Sequence, residues 1–434
     1  MREMLEYLGI KSIEELFEDI PEEIRIDGLN LPPAKEEMEV EMEIKKILEK
    51  NKSFFDMPHF LPIIKPHYIP AAVEEIVGRQ EFYTSYTPYQ PEASQGILQA
   101  MFEYQSVVCE LTGMDVANVS MYDSATALAE ACLMAYRIKK KKKILIPSNI
   151  FWNKKSVLKN YAKGVGLEIV EVGINKDGKM NLDMDEEDVS AIYIENPNFF
   201  GVIDNRYKEI QEMKERLDAM LIVGTDPLYL TIFNPPSKYG ADIVIGEGYF
   251  GNPLNFGGPL LGIFACKKEH VRQMPGKIVG ATVDANGNRA FCMTLQTREQ
   301  HIRRSKATSN ICSNEALLCI AFLAYTAVLG RSGLRKVAIK NMENAKYMAN
   351  ELEKIGFLLP YKNFFNEFVA ISPIKAEKLN EQLLEKGIHG GLIIDEYIKN
   401  GILFGVTEMH SKNTMDEAVK KMKEILEEEN ETAK

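Results

Sequence analysis

Cysteine is scarce and unpaired. The six present (Cys109, Cys132, Cys266, Cys292, Cys312 and Cys319) form no CxxC motif, and several stand among apolar neighbours, as in YQSVVCEL and AEACLMAY. They read as reduced core residues of a cytoplasmic protein, not as a disulfide frame. The six histidines are as scattered, with no HExxH, so no metal site is expected. A positive excess is also missing. Against 63 Asp+Glu stand 52 Lys+Arg, a net charge of -11, and without a basic footprint no nucleic-acid partner is expected. The longest apolar stretch, ALLCIAFLAYTAVLG at 316–330, falls short of the ~20 residues that cross a bilayer. It reads as a buried helix with Ser313 and Asn314 as candidate N-caps and Gly330 as a stop, so no membrane partner is expected. The first twenty residues carry acids where an export signal needs an apolar core, and export is not indicated. One further absence bears on chemistry: no lysine lies between Lys238 and Lys267.

What is present is a chain of 434 residues, 45% hydrophobic, long enough to bury a large core without staples. Residues 1–70 are expected to form a helical and extended arm, closing with the proline- and aromatic-rich SFFDMPHFLPIIKPHYIP. From about 71 to 330 the chain alternates helical segments with short apolar runs: KILIP, EIVEV, AIYIENP, LIVGTD, ADIVIGEG and PLLGIFAC. Continuous apolar strands with crossover helices predict an α/β domain built on a large, doubly wound, mostly parallel sheet. Residues 331–434 read as a small C-terminal α/β domain. The lysine run at 139–143 follows a helix, where cations complement the dipole, and needs no polyanion to explain it.

Ligands of such sheets bind beyond the carboxyl ends of the strands. MYDSATALAEA (121–131) opens a helix with small and hydroxyl residues, and Asp123, Ser124 and Thr126 are either simple caps or part of an anion seat. Asp226 follows the LIVGT strand as either a turn carboxylate or the partner of a protonated ring nitrogen. GEGYFGNPLNFGGP follows the next strand. In this order the three segments resemble the large domain of fold-type-I pyridoxal phosphate enzymes. Such an enzyme needs a Schiff-base lysine after the strand ending at GEG. The expected position falls near Tyr249–Phe250, neither of which forms an imine, while Lys238 and Lys267 are misplaced. The cleft therefore reads as vestigial, with Tyr249 and Phe250 filling the space of a ring.

Longer blocks make the resemblance specific. EFYTSYTPYQPEASQG (81–96), ELTGMDVANVSMYDSATALAEA (110–131), ENPNFFGVIDN (195–205), RQMPGKIVGATVDANGNR (272–289) and TLQTREQHIRRSKATSNICSNEAL (294–317) resemble glycine dehydrogenase (decarboxylating), the P-protein of the glycine cleavage system. The match runs on to GVTEMHSK at 405–412 and is of the amino-terminal-half type, the α subunit of two-subunit forms. The resemblance implies a homologous β subunit that carries pyridoxal phosphate on its own lysine, glycine as substrate, and lipoylated H-protein as acceptor of the aminomethyl group. It also implies that segments of this chain reach the partner's site. By position these are Tyr86, Thr87, Tyr89 and Gln90, with Thr308, Ser309 and Asn310. The aromatic run reads equally as a packed interface strand. Arg303 and Arg304 either meet an acidic partner or an anion, or pair with Glu299 and nearby acids.

One segment departs from the family pattern: where most relatives have a Gly-Ala-Gly-rich turn before HYIP, this chain has HFLPIIKPHYIP. Proline and isoleucine do not adopt glycine's conformations, so a different loop path is expected. Two other readings compete. A free-standing pyridoxal enzyme is opposed by the missing lysine. A non-catalytic scaffold outside glycine metabolism would lack a lysine-bearing paralogue beside it.

Overall fold

The computed structural model describes every residue except 27, 64, 84–87, 255, 256, 259, 312, 313, 433 and 434, and the side chains of 430 and 432. The chain forms two compact units, Met1–Ser53 and Phe54–Lys434. In the first, α1 (Arg2–Leu8) and α2 (Glu37–Leu48) bury no residue, and Tyr7, Met38 and Ile47 are exposed.

The second unit opens with the arm, 54–70, and continues through α3 (Ala71–Val77), α4 (Gln80–Tyr83) and α5 (Gln95–Thr112). Then follow β1 (Val116–Ala117), α6 (Ser124–Lys139), β2 (Lys143–Pro147), α7 (Trp152–Val165), β3 (Glu168–Val172) and β4 (Val189–Glu195). After α8 (Tyr207–Arg216) come β5 (Met220–Thr225), β6 (Ile243–Glu247), β7 (Gly262–Cys266), β8 (Ile278–Val283) and β9 (Arg289–Thr294). The chain ends with α9 (Gln300–Arg303), α10 (Ala316–Lys354), β10 (Glu367–Ile371), α11 (Ala376–Glu385), β11 (Leu392–Ile393), β12 (Gly401–Gly405) and α12 (Lys412–Thr432).

The large sheet has the order β1-β7-β6-β5-β4-β2-β3. Strands β2 to β6 pair in parallel, while β7 and β1 close one edge antiparallel. Alternate residues of each strand face opposite layers. Ile144, Ile146, Ala191, Tyr193 and Ile222 pack with α6 and α7, whereas Leu145, Ile192, Leu221 and Val223 pack with α5 and α10. That two-sided burial is why the strands read as unbroken apolar runs. The fold class expected from the sequence is therefore the one found. Helix α6 ends at Lys140 in a left-handed turn, and Lys139 and Lys141 pair with Asp218 at 2.6 and 3.1 Å. The β8–β9 hairpin went unforeseen, because its glycine-containing strands lack a clean apolar alternation. Gly330 stops one helical run, and a second begins at once, both as expected. The two meet there at φ 60°, ψ 179°, a conformation open mainly to glycine.

A three-stranded antiparallel sheet, β10-β12-β11, packs on α11, α12 and the second half of α10. The arm belongs to this region and does not stand apart with residues 1–53. Phe60 is fully buried among Phe404, Met348 and Leu379, its N–H donates to the His389 carbonyl, and its carbonyl accepts from Gly405 N–H. The aromatic residues of 54–70 are thus largely consumed inside the chain, leaving Phe55 and Tyr68 exposed.

Gly201 links the two sheets. At φ 77° it lies so close to β10 that an added Cβ would meet the Glu367 carbonyl oxygen at 1.8 Å. Gly201→Ala is expected to lower stability by roughly 2–4 kcal/mol, combining a strained backbone with a backbone clash. Thermal unfolding checks this, and a midpoint within a degree of the wild type would show that the two sheets slide freely.

Candidate functional site

Strands β4, β5 and β6 run parallel, so their carboxyl ends, Glu195, Thr225 and Glu247, lie at one edge of the sheet, and all three line one cavity of about 110 Å³. Ser124 at the start of α6 and Lys65 from the arm line it too. A second cavity of about 450 Å³ shares Ile63, Ser124, Phe151, Lys154 and Glu247 with the first and is lined mainly by apolar atoms.

Most of the described polar side chains at this edge are already engaged, although Asn153 Oδ1, lining the second cavity, is buried without a partner. Asp123 accepts from Thr126 N–H at 2.6 Å, and Thr126 Oγ1 accepts from Asp123 N–H at 3.2 Å, a reciprocal cap of α6. Asp226 Oδ1 accepts from Leu228 N–H and from the Tyr249 hydroxyl, both at 2.7 Å, and Oδ2 lies 3.7 Å from Lys65 Nζ. Lys65 is buried and also holds Glu367 at 2.8 Å. Burial alone would lower its pKa, but Glu367 and then Asp226 outweigh that and raise it, so the ammonium keeps its proton. Lys154 pairs with Glu195 at 2.5 Å. Glu247 accepts from Ser124 N–H at 3.0 Å and from Leu261 N–H at 2.8 Å. Burial pushes its carboxyl up to about 7, against those two bonds.

Tyr249 lies flat against His67, with ring centroids 4.6 Å apart and planes 11° apart. Glu408 receives His67 Nδ1 at 3.0 Å, Asn341 Nδ2 at 2.7 Å and Tyr68 N–H at 2.9 Å. Burial would raise its pKa, yet His67 and these donors bring it down to about 2. Phe250 corrects the expectation for its position. It points away from the cleft into the main core, stacked on Phe322 and Tyr325 at 4.8 and 5.1 Å.

The lysines considered from the sequence lie elsewhere. Lys267 pairs with Asp242, the residue before β6, at the amino end of that strand. Lys238 sits in the 3-10 turn leading to it. Sequence reasoning missed Lys65, Lys154, His67, Glu195, Glu247 and Glu367. Glu195 and Glu247 left a visible signal, each an acid at the carboxyl end of a buried strand. Lys65 meets Glu367 across 302 residues, which no local pattern reveals. In the departing arm segment Ile63 adopts a left-handed φ of 69°, and its N–H donates to Glu367 at 2.5 Å.

The two loops expected to meet a partner come together at a separate place. The Tyr89 ring lies 5.2 Å from His301, with Lys277 Nζ 5.9 Å over it. Gln90, Arg303, Arg304 and Asn310 are exposed. Arg303 Nε donates to the Thr297 carbonyl, and Glu299 faces His301 at 3.7 Å. Thr308 N–H is tied to the Arg298 carbonyl, and the Ser309 hydroxyl donates to Glu130 at 2.8 Å, inside this chain. Tyr86 and Thr87 lie outside the described residues.

Comparison with known proteins places this geometry. The family profile described as glycine cleavage system P-protein matches residues 1–422. A probable glycine dehydrogenase (decarboxylating) subunit 1 from Pyrococcus horikoshii is 46% identical, covering 98% of this chain and 97% of that protein. A crystal structure of glycine decarboxylase (P-protein) of the glycine cleavage system, in inhibitor-bound form, superposes with a TM-score of 0.93 at 39% identity, over 98% of this chain and 97% of the other. Glutamate decarboxylase from Lactobacillus brevis shares the fold at a TM-score of 0.68 and 12% identity, over 94% and 96% of the two chains. These neighbours are fold-type-I pyridoxal phosphate enzymes, and the cleft of this chain does not fit that group. Its two lysines are ion-paired, Asp226 is taken by Lys65 and Tyr249, and a carboxylate stands at the amino end of α6.

Lys65→Met would leave Asp226 and Glu367 facing an apolar thioether, and is expected to cost ~3–5 kcal/mol. Chemical denaturation reads the loss, and Glu367→Gln added to it should restore part. Glu408 makes a pH signature. Its folded pKa is depressed from 4.5 to about 2, so its contribution is full above 4.5 and is lost as pH falls toward 2. Glu408→Gln should therefore lower the melting temperature at pH 7 and flatten its fall between pH 4.5 and 2. An unchanged acid limb would remove Glu408 as a source of acid sensitivity.

Proposed function

The chain belongs to the glycine cleavage system P-protein family, in its subunit 1 form, and from that premise we propose that it is the α subunit of a two-subunit glycine decarboxylase. A homologous, lysine-bearing β subunit holds pyridoxal phosphate covalently. The pair decarboxylates glycine in the cytoplasm and passes the aminomethyl group to the lipoyl arm of H-protein. The observation that carries this reading is the ion pairing of both lysines at the cleft. Lys65, whose ammonium keeps its proton beside Glu367 and Asp226, has no lone pair for an imine. Held by the partner, the cofactor would supply an electron sink for the decarboxylation.

The residues of this chain serve from the interface. Tyr89 and His301 hold the 88–92 and 296–310 segments together and present Gln90 and Asn310 outward. Tyr86 and Thr87 directly precede the first segment in sequence, Thr308 and Ser309 belong to the second, and Arg303 and Arg304 offer two cations to an acidic partner or an anion. With the arm consumed internally, the apolar side chains of α1 and α2 take over as the candidate partner contact. A permanent partnership buries more than ~1,600 Å², which exposed Tyr7, Met38, Met42 and Ile47 can help to supply. The proposed subdivision of the second unit near residue 330 assigns the two sheets to a large and a small domain.

Borohydride reduction of the assembled enzyme, followed by peptide mapping, should place the pyridoxyl-lysine on the partner. One found on this chain overturns the assignment. Glycine–bicarbonate exchange should require both subunits. Tyr89→Phe or Asn310→Ala should lower its turnover about tenfold or more while the subunits still co-elute. Full turnover in both variants would remove these loops from the reaction.

A further inference from the structure

We infer that the cleft at the carboxyl ends of β4, β5 and β6 is sealed by the chain's own charges: Glu247 seals its anion seat, and Lys65 with Tyr249 seals the carboxylate of Asp226. An apolar sheet edge beside a helix amino terminus is ordinarily where an α/β protein admits an anionic ligand. Here the free N–H of Ser124, at the first turn of α6, is spent on Glu247 Oε2, and the Leu261 N–H on Oε1. A single carboxylate thus spans the helix end and the strand that follows the loop, two donors that an incoming phosphate would otherwise collect. At the other end, Asp226 is the group that would receive a cationic or N–H-bearing ring. It already receives an ammonium, a phenol hydroxyl and a backbone N–H. Between the two ends Tyr249 supplies the ring, pressed flat on His67. Anion, ring and cation partner are thus all supplied internally, from β6, the loop after it and the arm.

The arrangement also accounts for Ile63, which lines both cavities in a left-handed conformation unusual for a β-branched residue. Its N–H and the Lys65 ammonium both end on Glu367, so the strained turn is held down by the same carboxylate that anchors the seal.

This inference rests on the assignment of the cofactor to the partner, and one set of variants separates the two. The probes are inorganic phosphate, followed by ³¹P NMR line broadening, and pyridoxal 5′-phosphate, followed by equilibrium dialysis, against the full-length chain. The wild type is expected to bind neither at millimolar concentration. Glu247→Ala frees both N–H donors and should bind phosphate at least tenfold more tightly than the wild type. Glu247→Gln keeps the shape without the charge and guards against a folding artefact; it should show a smaller gain in the same direction. Melting temperature and circular dichroism confirm that each variant is folded. Stoichiometric binding of pyridoxal 5′-phosphate by the wild type would overturn the sealing, and so would folded Glu247 variants that gain no phosphate affinity. Glycine–bicarbonate exchange by the Glu247→Ala chain with its β partner is the separating measurement. Exchange retained alongside no gain in phosphate binding rejects the seal and leaves the subunit assignment standing.

Discussion

A single buried ammonium holds the two sheets of this protein in register. Lys65 stands between Asp226, which follows β5 of the large sheet, and Glu367, which opens β10 of the small one. Removing an ion from water costs several kcal/mol even after relaxation, so a lone lysine here would lose its proton. Two carboxylates alone would be worse, because like charges in a poorly solvated space drive one another to protonate. The three together are compatible only while all remain. The remaining lone pairs are met by the Tyr249 hydroxyl, the Leu228 N–H and the Ile63 N–H. The arm is consequently as much a part of the second unit as any strand. Gly201 is required for the same reason, since it lets the large-sheet loop approach the backbone of Glu367.

This dependence explains which parts of the protein were legible in its sequence. The parallel sheet was, because strands buried on both faces read as apolar runs, and residues 144–147, 191–194 and 243–245 show it. The cap of α6 was legible too, since Asp123 and Thr126 interact over three residues. Phe250 was not: a side chain beside a cleft residue points either into the cleft or away, and only the packing of Phe322 and Tyr325 decides. Lys65 was invisible for a deeper reason. Its partners are 161 and 302 residues away, and its segment looked like an extended strap suited to another subunit. The left-handed turn at Ile63 was equally hidden, because Glu367, far along the chain, fixes both its N–H and the neighbouring lysine.

Substitution of charge for ligand also makes sense of the family relationship. A fold shared with decarboxylases retains its sheet, its helix amino end and the aspartate after β5, all of which serve folding as much as catalysis. Losing a bound phosphate and ring from such a cleft would leave unsatisfied N–H groups and an unpaired aspartate, each costly when buried. Side chains that replace those contacts keep the scaffold stable without a ligand. The loops around Tyr89 and His301 lie apart from this cleft, with Gln90 and Asn310 exposed.

Glu247 shows how finely this substitution is set. Its carboxyl is pushed up to about 7 by burial, even though two N–H groups stabilise the anion. A group whose folded pKa is raised in this way favours the protonated form. Its contribution to stability therefore falls as pH rises from the ordinary carboxylate value, 4.5, to about 7. Glu408 has the opposite sign, contributing fully above 4.5 and fading toward 2. The two acids thus act over adjoining windows, with Glu408 a source of acid sensitivity while Glu247 costs stability near neutrality.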